Sequence, residues 1–487
     1  MSDWLRGAVI YQVYPRSFCD SNGDGVGDLR GATAKLEHVA KLGADAVWLS
    51  PFFRSPMKDY GYDVSDYRDV DPLFGTLADA DAFVARAHAL GLKVIIDQVW
   101  SHSSDQHTWF TESRASRDNP KADWYVWADA KPDGSPPNNW QAMFGGGAWT
   151  WDARRRQYYL HNFLPEQPDL NVRNPDVQQA LLDTARFWLG RGVDGFRLDV
   201  VNFYIHDALL RDNPALPFKR TPPRPHQFQR QLYTRTQPET LDFIARLRAL
   251  LDEYGAMSVG EIEDEEPLKV QRDYTDGPQR LNTAYSFFLL RQRAMTPAVV
   301  QEAMAGWDGA KGWPSWSLSN HDVIRFPTRL AADDPRRTKL MLTLLMAMRG
   351  AAFLYQGDEL GLPHAEVPFE RLRDPEAIAF WPHGIGRDGA RTPMPWAREA
   401  NMAGFTSARD AWLPLDPRHR RLAVDAQQND PDSVLAFTRT VIALRKSSTA
   451  LREGDYAALA ASESVLAFER RADGERLICV FNFGAEA

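Results

Sequence analysis

Cysteine is nearly absent: Cys19 and Cys479 are the only two in 487 residues, and they stand far apart. That excludes a disulfide framework and any C-x-x-C metal pair. Long apolar runs are missing as well. The longest, "LMLTLLMAM" from Leu340, has half the length of a membrane span and then meets Arg349. The opening "MSDWLRGAVIYQVYPRSF" lacks a basic stretch leading into an apolar one, which argues against a signal peptide. No basic run of five occurs, and 57 Lys and Arg against 65 Asp and Glu leave a net charge of −8. Nucleic acid and anionic membrane are therefore disfavoured as partners. Neither a Walker loop nor a zinc-type histidine spacing is present, and "GDGVGD" fails G-x-G-x-x-G because Asp28 stands where the last glycine should be. These absences predict a soluble, cytoplasmic protein without an organic cofactor.

What is present is ordinary in bulk. The apolar fraction is 44%, and 16 Trp within 11% aromatics can fill a large core and still leave rings for a binding site. Eight short β-rich runs alternate with amphipathic text: "AVIYQVYP", "ADAVWLSP", "KVIIDQV", "GVDGFRLDVV", "SVGEIE", "TAYSFFL", "SWSLSNHD" and "AAFLYQGDE". Segments such as "DADAFVARAHALG" and "LDFIARLRALLDEYG" between them carry apolar residues at helical spacing. Eight such alternations predict an α/β fold, a parallel (β/α)8 TIM barrel rather than an open sheet.

Two stretches break that rhythm. Residues 103–170 are rich in Trp, Tyr, Asp, Asn and Gly, and read as a domain inserted after strand three. From Phe203 a polar segment carries Pro214, Pro217, Pro222, Pro223, Pro225 and Pro238, too long for an ordinary connection and readable as a lid or a disordered loop. The barrel is thus expected over 1–102 and 171–430, and a C-terminal antiparallel β domain over 431–487. "SVLAFTRTV" from Ser433 and "SVLAFERRADGERLICVFNF" read as strands of that last domain, which is expected to be minimal or truncated at Ala487.

In a parallel barrel the chemistry gathers at the C-terminal ends of the strands. Strand three ends in Asp97 and His102, strand four in Arg197 and Asp199, strand five in Glu261, and strand seven in His321 and Asp322. Arg197 and Asp199, two apart on one strand, share a face. The guanidinium is then expected to keep Asp199 ionised and aimed.

"DQVWSH", "GFRLDVV", "GEIE" and "SLSNHD" resemble, in order and spacing, the four conserved blocks of the α-amylase superfamily, family 13 of the glycoside hydrolases. The likeness runs from Tyr11 to about Trp396. "QVYPRSF", "SPMKDYGYDVSDY" and "GRDGARTPMPW" resemble its α-glucosidase and oligo-1,6-glucosidase branch. The resemblance implies a retaining exo-α-glucosidase acting on short, maltose-like oligosaccharides, with transfer of glucose to other acceptors as a side activity. Oligo-1,6-glucosidase or sucrose-hydrolysing and isomerising activity is the alternative within the family. A non-catalytic sugar-binding or transporter-associated homologue is the alternative outside it.

By the same resemblance Asp199 is the nucleophile, Glu261 the acid/base and Asp322 the transition-state stabiliser, while Asp97 is structural. One carboxyl must attack while another protonates the leaving oxygen, so Glu261 is expected to hold its proton near neutral pH through burial and neighbouring carboxylates. His102 and His321 match donors to sugar hydroxyls. Asp59 and Tyr62 match residues that bind the terminal sugar. Arg387 or Arg391, with Arg387 favoured, matches the arginine that pairs with Asp59. Phe144 in "MFGGGAW" and Phe163 in "YYLHNF" match aromatic walls. Val200, next to the nucleophile, is associated with α-1,6 acceptance. Such a pocket-shape rule is soft, because one methyl supplies only ~1–3 kcal/mol of discrimination.

"DSNGDGVGD" opens like an EF-hand, D-x-N-x-D-G, yet its twelfth position is Gly31, where a bidentate acid is needed. A calcium sensor is excluded. The resemblance implies a structural Ca²⁺ or Mg²⁺ held by Asp20, Asn22, Asp24 and Asp28 with the Val26 carbonyl. The expected partner is a small oligosaccharide, and the expected state a monomer or homodimer.

Overall fold

The computed structural model describes residues 3–217, 224–307, 309–383 and 386–484. Its centre is a TIM barrel of eight parallel strands: β1 (Val9–Val13), β2 (Ala46–Leu49), β3 (Lys93–Gln98), β4 (Gly195–Leu198), β5 (Met257–Ile262), β6 (Thr283–Ser286), β7 (Ser315–Ser317) and β8 (Ala351–Tyr355). The hydrogen-bonded order is β6-β5-β4-β3-β2-β1-β8-β7. A parallel bridge between Ala284 and Pro314 joins β6 to the lead of β7 and nearly closes the ring. Nearly all strand positions are buried, as expected of a sheet covered by helices outside and packed with side chains inside.

The surrounding helices begin and end where local chemistry dictates. Asp28 caps α1 (Leu29–Leu42) by accepting from the Gly31 amide, and Thr76 with Asp79 forms a capping box at α2 (Leu77–Ala89). Further helices are α3 (Pro175–Leu189), α4 (Thr240–Tyr254), α5 (Pro267–Asp273), α6 (Pro297–Ala305) and α7 (Pro335–Ala347). Six of these seven, all but α4, follow a cap residue or an N-terminal proline suited to a helix start.

Three stretches differ from the sequence-based expectation. "SVLAFTRTV" is no strand: Ser433 caps α8 (Val434–Ser447), which packs against α7 and α1 and fills the eighth place in the helical ring. Its buried residues Val434, Leu435, Thr438, Val441, Ile442 and Arg445 follow helical spacing, which the β-branched composition had masked. "TAYSFFL" leaves the strand at Ser286 and turns into a helical segment, Phe287–Leu290. "SWSLSNHD" is extended only over Ser315–Ser317, so His321 and Asp322 stand on the turn beyond β7.

Between β3 and β4 lie a short helix, Thr108–Ser113, and an antiparallel sheet of Trp127–Ala128, Gln157–Leu160 and Trp149–Asp152. The chain ends in a three-stranded antiparallel sheet, β9 (Asp455–Ala461), β10 (Val465–Ala472) and β11 (Glu475–Asn482). In the proline-rich segment, Pro222 and Pro223 lie outside the described residues; on either side of them, Ala215 bridges to Gln229. Among the described residues no helix is long and apolar enough to cross a membrane.

Candidate active site

Sheet register builds the site's floor. Asp97 on β3 pairs with Arg197 on β4, which faces Val259 on β5; two residues further along β5, Glu261 pairs with Tyr285 on β6, so four inward-facing polar side chains meet in two adjacent layers. Arg197 Nη1 lies 2.7 Å from Asp97 Oδ1 and 2.6 Å from Asp199 Oδ1, while Nη2 pairs with Glu261 Oε2. One buried guanidinium therefore serves three buried carboxyls.

That sharing corrects the expectation for Asp199. Burial outweighs the pull of Arg197, with Asp97 adding repulsion, and pushes the Asp199 carboxyl up to about 7. Glu261 also rises to about 7, from burial first and then from the negative charge of Asp199 and Asp322, against Arg197. Asp97 is raised to about 6, again mainly by burial. Asp322 goes the other way. Burial would raise it, but His321, Arg391 and Arg387 together hold it well below the usual carboxylate range. Its oxygens lie 2.8 Å from Arg391 Nη2, 3.2 Å from His321 Nε2 and 3.5 Å from Arg387 Nη1.

Above this floor is a cavity of about 110 Å³. Asp59, Tyr62, His102, Phe144, Phe163, Val200 and Arg387 line it together with Asp199, Glu261 and Asp322. Between the two arginines, it is Arg387 that reaches Asp59: its Nη2 lies 2.6 Å from Asp59 Oδ1 and 2.8 Å from Asp374 Oδ1, and its guanidinium covers the Phe144 ring. Phe144 and Phe163 meet edge to face, with Phe163 also against His102.

Arg197, His321 and Arg391 do not line the cavity; they sit beneath it. Arg391 is spent on the His321 carbonyl and on Asp322. The His321 ring is sandwiched between Tyr14 and Tyr62, and Tyr62 shields it from the pocket. Gln12 Nε2 donates to His321 Nδ1 at 2.8 Å, which leaves the proton on Nε2, 2.6 Å from the Tyr62 hydroxyl. That hydroxyl in turn lies 3.2 Å from Asp97 Oδ2. His102 does face the cavity, with Nδ1 at 2.8 Å from the Ser101 hydroxyl and Nε2 at 3.0 Å from the Tyr62 carbonyl.

Several residues of the site carried no readable signal. Asp374 and Gln167 hold the far sides of Arg387 and Asp59, with Gln167 Nε2 3.2 Å from Asp59 Oδ2. At the outer wall Arg291 forks onto Glu263 with both contacts at 2.7 Å, and Arg224 Nε meets Glu376 Oε1 at 2.6 Å. Some of these partners stand more than a hundred residues apart, and no local pattern links them.

The "DSNGDGVGD" loop lies elsewhere, after β1 and ahead of α1. Asp20 accepts the amides of Asn22, Gly23 and Gly25, Asp24 accepts that of Val26, and Asp28 is turned to Ser21 and Gly31. Among the described residues no three His, Cys, Asp or Glu side chains gather to hold a metal ion.

A TIM barrel whose C-terminal mouth holds buried carboxyls around one arginine, under a small pocket, has the architecture of a glycoside hydrolase. The comparisons with known proteins narrow that class. The family model described as "Alpha amylase, catalytic domain" matches residues 12–454, and the chain belongs to this family. It is similar to a probable α-glucosidase of Rhizobium meliloti (strain 1021), at 53% identity over all of this chain and 90% of that one. An oligo-1,6-glucosidase of Parageobacillus thermoglucosidasius is 37% identical over 99% of this chain and 90% of its own length. Among solved structures, the α-glucosyl transfer enzyme XgtA superposes with a TM-score of 0.96 at 54% identity, covering 99% of this chain and 92% of that one.

Proposed function

We propose that the protein is a retaining, exo-acting α-glucosidase that releases glucose from the non-reducing end of short α-glucosides. The observation that carries this reading is the closed inner end of the pocket. The buried Asp59–Arg387 pair, backed by Asp374 and Gln167, walls the cavity beside the carboxyls, which supports a site for one terminal sugar rather than a continuing chain. Asp199 acts as nucleophile, and Glu261 protonates the leaving oxygen, then takes a proton from the attacking water. Asp322, anionic throughout, stabilises the positive charge developing on the sugar ring.

Asp199 and Glu261 are gripped by adjacent nitrogens of one guanidinium, which favours the ~5–5.5 Å separation of retaining enzymes over the wider inverting spacing. They titrate as a pair, and the reactive microstate is the one with the proton on Glu261 and the charge on Asp199. Glucosyl transfer to other acceptors is part of this reading, supported by the likeness to an enzyme named for such transfer.

A second reading, preference for α-1,6 links, is favoured by Val200 on the cavity wall and by the likeness to oligo-1,6-glucosidases. Measuring kcat/KM on maltose, isomaltose, sucrose and a longer maltodextrin separates the two. Exo-action on short substrates predicts that maltose is cleaved faster than the maltodextrin, and a higher value on isomaltose would transfer the assignment to the second reading. Proton NMR of the first-formed glucose tests the mechanism: α-glucose is expected, and initial β-glucose would overturn it.

We also propose that Asp20, Asn22, Asp24, Asp28 and the Val26 carbonyl bind a structural Ca²⁺ or Mg²⁺. Every donor is a hard oxygen, as these ions require, and Asn22 and Asp24 are exposed. The ion would supply cohesion to the first loop and no chemistry at the pocket. Both cysteines are free thiols, which suits a cytoplasmic enzyme working as a monomer or homodimer.

A further inference from the structure

We propose that Tyr285 is a positioning residue for the acid/base carboxyl, its hydroxyl donating to Glu261 Oε1 and thereby setting how readily the transferable proton leaves. This rests on the reading of Glu261 as acid/base. Tyr285 belongs to none of the sequence blocks that point to the site, because it stands on β6, whose text carries no charged residue.

The sheet register places Tyr285 directly across from Glu261. Its hydroxyl lies 3.0 Å from Glu261 Oε1 and 3.1 Å from Arg197 Nε. A guanidinium N–H can only donate, so the hydroxyl accepts from Arg197 and its own hydrogen is directed at Oε1. The other oxygen, Oε2, faces two obligate donors: the Val200 amide at 3.2 Å and Arg197 Nη2. Val200 offers that amide because its backbone sits in the left-handed region, φ +34°, an unusual state for a β-branched residue. With Oε2 occupied by donors, the proton of the neutral acid resides on Oε1. It moves from there to the departing glycosidic oxygen, while Tyr285 keeps its own hydrogen and steadies the carboxylate left behind.

The groups facing Glu261 are Arg197 and Asp199 from β4 and its end, Asp322 from the turn after β7, the Val200 amide and Tyr285 itself, with Asp97 acting through Arg197. Against the repulsion of Asp199 and Asp322, a donated hydrogen bond stabilises the charged form and lowers the pH at which Glu261 gives up its proton. The ring is held in place by Trp48 and Phe353, so the hydroxyl has little freedom to leave.

The test is the pH dependence of kcat/KM for wild type and Tyr285→Phe on maltose and on 4-nitrophenyl α-glucoside. Loss of the donor should move the alkaline limb up by about one pH unit, the scale of one hydrogen bond to a charged group. At the optimum, maltose turnover should fall roughly tenfold more than that of the nitrophenyl glucoside, whose leaving group needs less protonation. An unmoved limb, or equal losses on both substrates, would overturn the assignment. If Tyr285→Phe does not fold, 3-fluorotyrosine at position 285 keeps the hydroxyl and makes it a stronger donor. The limb should then move down, and no movement overturns the proposal. A wild-type enzyme that releases glucose from neither substrate would instead overturn the function proposed above.

Discussion

Arg197 divides one positive charge among Asp97, Asp199 and Glu261, so the trio cannot all stay ionised in a site this dry. The surplus negative charge is relieved by keeping a proton near neutral pH, and a retaining glycosidase needs such a proton. Asp199→Asn keeps the shape and removes the proposed nucleophile. It should lower kcat by roughly four orders of magnitude while glucose binding, measured by calorimetry, is retained. Unchanged rates would refute the role assigned to Asp199. The carboxyls were legible in the sequence because each stands at the end of a strand or on the turn just beyond it, inside a contiguous block. Tyr285, Asp374 and Gln167 were not, because each acts on a partner brought close only by the fold. The choice between Arg387 and Arg391 needed the fold too: the two stand four residues apart in one motif, yet one meets Asp59 and the other lies under Tyr14.

Among the elements, β4 has little tolerance for added atoms. A Cβ built on Gly195 would lie 2.6 Å from the Met257 carbonyl oxygen on β5, and a backbone atom within the sheet cannot retreat. Gly195→Ala should therefore cost about 1–3 kcal/mol through overpacking and lower the melting temperature. Because the strand carries Arg197 and aims Asp199, activity should fall further than stability alone explains. An unchanged melting temperature would mean that the strands can part at that point. Strand identities were readable where short β-branched runs met turns. They were misread at Ser433, where Val, Thr and Ile form a helix: Ser433 supplies a cap and the apolar face finds α7 and α1. Composition described that segment's residues, and the neighbours decided its conformation.

At the scale of the whole molecule, distant segments lock the barrel mouth. The "DSNGDGVGD" loop packs against residues beyond 400: the Asp20 amide donates to the Phe405 carbonyl, Thr406 donates to Asp20, and the Trp412 amide donates to the Gly25 carbonyl. A metal ion there would brace this junction. Wild type should melt at a higher temperature with calcium than with chelator, and Asp24→Ala should lose that difference while keeping its turnover. Equal melting of wild type in both conditions would refute the brace.

By itself the sequence determined the barrel, the succession of its strands and three carboxyls that meet at its mouth, because periodicity and short motifs are written in neighbouring residues. The tertiary structure decided how one arginine is shared, which arginine closes the pocket, and which tyrosine meets the acid. Those are matters of register and loop packing between residues up to hundreds of positions apart, and local sequence carries no record of them.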